Sequence, residues 1–194
     1  VENLAAKPDV FQLLYHLNIG RPILGPGAKM VAPIREMCPQ TRRAAEGIDG
    51  WENYCGPQQG FAEQVYLMYL HGNARGETLA LLQSSDSNQG VVVRFNLHSL
   101  PCFTLWKNTG AIEEGYVTGL EPATCFPNFR GFERENSRMR QLNPSESWQA
   151  SWSIEWLRDQ SGVHQAKSEI LKLAEGRPPV IHRTPKPPFT PQIM

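Results

Sequence analysis

Apolar residues fall in short runs along most of the chain, and each run has its own period. Residues 10–19 hold Val10, Phe11, Leu13, Leu14, Tyr15 and Leu17, a density that predicts a strand buried on both faces. Gly20 and Pro22 end it. Residues 63–71, 78–84, 91–97 and 102–107 are apolar, β-branched or aromatic. Between them lie the turn formers Gly72-Asn73, Asn88-Gln89-Gly90 and Leu100-Pro101. Residues 116–121 form another strand, stopped by Pro122. The clearest alternation runs over residues 148–156, where Trp148, Ala150, Trp152, Ile154 and Trp156 interleave with Gln149, Ser151, Ser153 and Glu155. That period of two predicts a half-buried strand on a large sheet, with the indoles packing against it. A sugar-stacking platform is the alternative use of those indoles.

Two stretches break the pattern. Residues 21–62 are punctuated by Pro22, Pro26, Pro33, Pro39 and Pro57 and by several glycines. They predict a long structured loop with a short helix near residues 41–46. Residues 163–174 have helical spacing in Val163, Ala166, Ile170, Leu171 and Ala174, closed by Gly176, which places a terminal helix within 159–176. The tail, residues 177–194, holds six prolines and predicts an extended or disordered end. Many short strands, one terminal helix and Gly/Pro turns give an all-β fold, an antiparallel β-sandwich over residues 1–158. No GxGxxG or Walker loop occurs, so a phosphate-cradling nucleotide site is not supported.

The 194 residues suffice for one domain with a hydrophobic core. The balance of 19 basic and 19 acidic residues argues against nucleic acid and anionic membranes as partners. No apolar run is long enough to span a bilayer, and no signal peptide is present. Cys38, Cys55, Cys102 and Cys125 form no CxxC pair and have no His at zinc-ligand spacing, so no metal is expected. They read as scattered reduced thiols of a cytoplasmic protein, with two disulfides and export as the alternative.

Of the five histidines, His71, His98, His164 and His182 sit near turns, a helix start or the tail. His16 lies inside an apolar run, just before Asn18 and Gly20. Glu121 ends an apolar strand, where an unpaired carboxylate is expensive to bury. Such a group needs a partner, solvent or a catalytic task.

Several segments resemble those of the aldose 1-epimerase (galactose mutarotase-like) superfamily. Leu14-Tyr15-His16-Leu17-Asn18-Ile19-Gly20 resembles the segment that carries the family's catalytic histidine. Gly119-Leu120-Glu121-Pro122-Ala123, with Pro127-Asn128 downstream, resembles the one that carries its catalytic glutamate. Glu63-Gln64-Val65-Tyr66, Leu105-Trp106-Lys107-Asn108 and Leu142-Asn143-Pro144-Ser145-Glu146 resemble three further segments in the same order. The resemblance covers roughly residues 10–157 and fits an uncharacterised aldose-epimerase-like branch.

It implies a supersandwich and a carbohydrate-active isomerase that interconverts sugar anomers by acid/base ring opening, with no cofactor. His16 and Glu121 are the implied catalytic pair. Glu63, Trp106, Lys107, Asn18 and Arg130 are the implied substrate-binding residues. Lys107 stands where the family has an asparagine and suggests an anionic or more oxidised sugar. Glu63 replaces an aspartate and is expected to keep His16 charged. Trp51, in the long loop, is a candidate to close over the pocket. The two catalytic groups are expected roughly 5–9 Å apart across a common cleft, by analogy with paired glycosidase carboxylates.

The family's first strands have no counterpart here, so the chain reads as the C-terminal part of a sandwich with an exposed edge. Two rival readings follow. One is a non-catalytic carbohydrate-binding domain on the same fold. The other is an incomplete fragment that needs a partner, either a second copy in a dimer or a missing N-terminal segment.

Overall fold

A computed structural model describes residues 1–191. Its strands are β1 (Asp9–Phe11), β2 (Leu17–Ile19), β3 (Lys29–Val31), β4 (Ile34–Pro39), β5 (Gln64–Leu70), β6 (Glu77–Gln83), β7 (Gly90–Asn96), β8 (Cys102–Asn108), β9 (Val117–Ala123), β10 (Arg140–Leu142), β11 (Trp152–Leu157) and β12 (Val180–Ile181). The helices are α1 (Arg42–Glu46), α2 (Arg130–Glu135) and α3 (Gln160–Ala174). A six-stranded sheet in the order β12-β4-β5-β8-β9-β2 faces a four-stranded sheet in the order β11-β7-β6-β3. Every pairing is antiparallel except β12 with β4. The antiparallel sandwich is as the sequence pattern predicts.

Three apolar layers follow from strand alternation. Tyr66, Met68, Phe103, Leu105 and Leu120 point inward from the large sheet and meet Met30, Leu82, Val93 and Phe95 of the small one. On the outer side of the small sheet, Val163, Ala166 and Ile170 of α3 cover Leu79, Leu81 and Val92. Asp159 caps α3, its carboxylate accepting from the Gly162 amide at 2.8 Å. On the outer side of the large sheet, Cys38, Val65, Leu67, Cys102 and Ala123 are covered by Phe126 and Phe189.

Four expectations are corrected. The run 10–19 is two short strands rather than one, because β1 pairs with β10 and β2 with β9, with only an isolated Leu14–Ala123 bridge between them. The stretch 21–62 is not one loop: it contains β3 and β4, whose few apolar residues were masked by the surrounding prolines. The alternating tryptophan segment forms a strand only from Trp152, at the edge of the small sheet, where Ile154 and Trp156 stand about half exposed. The described part of the proline-rich tail is packed onto the fold rather than disordered. Its β12 extends the large sheet, Phe189 is 1% exposed, and His182 meets the Glu36 carboxylate at 2.7 Å. The four cysteines are free thiols, three of them buried. No described helix is long and apolar enough to cross a membrane.

Candidate active site

The outer face of the large sheet is not wholly covered, and the titratable residues collect on its open part. β9 pairs with β8 so that Thr104 lies opposite Glu121 and Trp106 opposite Gly119. On the other side, Asn18 of β2 lies opposite Gly119. Alternation therefore puts His16, Asn18, Gly119, Glu121, Thr104 and Trp106 on one face. Leu17, Ile19, Leu105 and Leu120, the intervening residues, enter the core side.

Glu121 is 3% exposed, whereas the His16 side chain is 45% exposed. His16 Nε2 stands 2.9 Å from Glu121 Oε1. The approach is at ion-pair distance but lacks hydrogen-bond alignment, so Oε1 has no hydrogen-bond partner among the described residues. Burial pushes the Glu121 carboxyl up to about 8, and the Glu63 carboxylate adds to the rise. A protonated His16 at this distance pulls the other way. Glu63 thus acts on Glu121 as a like charge. It is itself held in place, accepting the Trp106 indole N–H at 2.6 Å. The Trp106 ring meets the His16 ring edge-on, with centroids 5.2 Å apart.

The direct contact differs from the expected separation of two groups across a sugar. A desolvated carboxyl with no other partner draws the imidazole onto itself. Half-exposed His16 is the member with room to move away.

Gly119 is a member of the site that motif reading passed over. A side chain there would overlap the Glu121 carboxylate and crowd the His16 ring. The bare strand lets Glu121 fold back over its own backbone toward β2. The only sequence signal was a glycine inside a strand pattern, which marks a close approach. Gly119→Ala is expected to cost about 1–3 kcal/mol in stability by overpacking. The cost should shrink in a Glu121→Ala background, measured by urea denaturation. An equal cost in both backgrounds would show that the methyl meets something other than the carboxylate.

The remaining expected residues divide. Asn18 is exposed beside Gly119, on the site face. Arg130, on α2, donates to the Val10 carbonyl at 2.7 Å and makes no contact with the pair. Lys107 is corrected outright. It points into the opposite, inner face, donates to the Trp51 and Asn53 carbonyls at 2.9 and 2.7 Å, and lies over the Tyr54 ring. Burial lowers its ammonium to about 8. It ties the 51–53 loop to the sheet and cannot meet an anion beside Glu121. Trp51 packs against the inner core rather than over the site. A cavity of about 600 Å³ beside α3 is bordered by Arg94, Glu169 and Leu173 but by none of His16, Glu63, Trp106 or Glu121. Among the described residues no group of three His, Cys, Asp or Glu could hold a metal ion.

Comparison with known proteins places the fold. The profile of a domain of unknown function (DUF4432) matches residues 1–156. No curated protein matches the sequence. The crystal structure of a "putative aldose 1-epimerase" from Klebsiella pneumoniae is similar at a TM-score of 0.92 and 34% identity, over 95% of this chain. This chain spans 48% of that one, about half its length.

Proposed function

Because the chain belongs to the DUF4432 family and has an aldose-epimerase-like fold, we propose that it interconverts sugar anomers by acid/base ring opening. The observation that carries this reading is the buried Glu121 carboxyl set against the half-exposed His16 imidazole on the sheet face beside Trp106.

Mutarotation needs a base for the anomeric hydroxyl and an acid for the ring oxygen. Ionised Glu121 takes the hydroxyl proton while protonated His16 gives one to the ring oxygen. The C1–O5 bond breaks and leaves an open-chain aldehyde. Rotation about C1–C2 presents the other carbonyl face. Closure returns the proton from ring hydroxyl to His16 and from Glu121 to the new anomeric oxygen. No redox change occurs and no proton is left over. The sugar takes the place of the His16–Glu121 contact, with its ring against Trp106 and a hydroxyl donating to Glu63. Trp106 supplies an apolar face and Glu63 an acceptor already oriented by the indole.

The test is anomer exchange followed by NMR on a sugar panel. Exchange is expected to follow a bell-shaped pH profile, because Glu121, raised by burial, must ionise while His16 keeps its proton. His16→Asn is expected to slow it by roughly 10²–10⁴-fold. Sugar binding without exchange would favour the non-catalytic carbohydrate-binding domain instead. The whole protein's substrate belongs to the same test, since a longer relative has about twice the length.

A further inference from the structure

We propose that Thr104 is a positioning residue for Glu121, its hydroxyl serving as the donor that the carboxylate accepts from when it acts as a base. Thr104 is 0% exposed in the middle of β8, and its Oγ1 has no hydrogen-bond partner among the described residues. A hydroxyl buried without a partner is a cost that valine, of the same shape, would not carry. The direct cross-strand partner of Thr104 is Glu121, whose Oε1 is likewise buried without a hydrogen-bond partner among the described residues. Directly opposed residues on one face have Cβ atoms about 4.5–5.5 Å apart, within reach of a hydroxyl and a carboxylate after one side-chain rotation. One orphan is a donor and the other an acceptor.

The other charged groups facing Glu121 cannot fill this role from β8. His16 approaches from β2, and Glu63, from the lead-in to β5, is a like charge. The Trp106 N–H is committed to Glu63. A Thr104 donor would hold the carboxylate against its own strand while His16 turns to the sugar.

This rests on Glu121 being the base of the proposed reaction, so the test reads the carboxyl directly. The protein is labelled with ¹³C-carboxyl glutamate, and the Glu121 resonance is assigned by its loss in Glu121→Gln. Its titration is then compared in the parent, Thr104→Val and Thr104→Ser. Thr104→Val is expected to raise the midpoint by about one unit, because a hydrogen bond to the ionised form is lost. Thr104→Ser should restore it, and Thr104→Val should melt no lower than the parent. Where exchange is measurable, the rising limb of kcat/KM should move up by the same amount. An unchanged midpoint in Thr104→Val, or equal shifts in both variants, would overturn the proposal and leave Thr104 a packing residue. Absence of exchange in all three proteins would reject the isomerase reading alone, since the titration decides Thr104 without turnover.

Discussion

Glu121→Gln is expected to lower anomer exchange by about 10²–10⁴-fold and, at the same time, to stabilise the folded chain at neutral and alkaline pH. The rate loss follows because an amide cannot take the anomeric proton. The stability gain follows from proton linkage. The folded carboxyl titrates near 8 against an ordinary 4.5, so the folded state holds this proton more tightly than the unfolded state. Its contribution is fully present below 4.5 and is lost as pH rises through about 8. The parent should therefore lose stability across that window, by a few kcal/mol in order of magnitude. Glutamine imitates the neutral acid and removes this pH slope. Urea denaturation of both proteins between pH 5 and pH 8 gives the comparison. Parallel curves would mean that the carboxyl is already ionised in the folded protein, and the burial argument would fail.

Arg138→Met is expected to destabilise the fold by about 3–5 kcal/mol, the cost of stranding a buried charge. Glu133 is fully buried and accepts two parallel bonds from Arg138, Nε at 2.6 Å and Nη2 at 2.7 Å. Its oxygens also accept from the Phe126 amide and the Asn128 side chain. Asn128 donates in turn to the Phe189 carbonyl, so the ion pair fastens both the segment after Glu121 and the C-terminal strap. Removing the guanidinium leaves the carboxylate with two weak donors and no cation. The double variant Glu133→Gln/Arg138→Met should cost less than the sum of the two single variants, because each alone exposes the other's unmet need. A loss below about 1 kcal/mol for Arg138→Met would show that solvent reaches the pair.

Much of this architecture was legible in the residues. The strands β5 to β9 follow from apolar runs between turn formers, and each boundary falls within a residue or two of its expected place. The α3 helix announces itself by Val163, Ala166 and Ile170. The pairing of His16 with Glu121 came from segments that resemble an epimerase family, and the fold brings the two into contact. What failed was the part set by tertiary context. β3 and β4 are short and bordered by prolines, so nothing local distinguishes them from loop. The tail is held by Phe189 in a pocket formed by distant residues, which no property of a proline-rich stretch foretells. Lys107 was misplaced because a motif match fixes a position along the strand but not the face, and its neighbour Trp106 holds the site side. Gly119 left only the faint signal of a glycine inside a strand, and Thr104 is tied to the site only by its cross-strand register with Glu121.

That register also governs how this protein can change over evolutionary time. Along β8 and β9, odd and even positions serve different masters: Leu105, Lys107 and Leu120 belong to the interior, Thr104, Trp106, Gly119 and Glu121 to the open face. Substitutions on the open face can alter the site while the packing between the sheets is left alone. A single-residue insertion or deletion in either strand has no such freedom, because it would exchange the two sets at once, driving Glu121 into the core between the sheets and Leu120 onto the site face. Lineages descended from this chain should therefore diversify at the site by replacement, and confine changes of length to the turns.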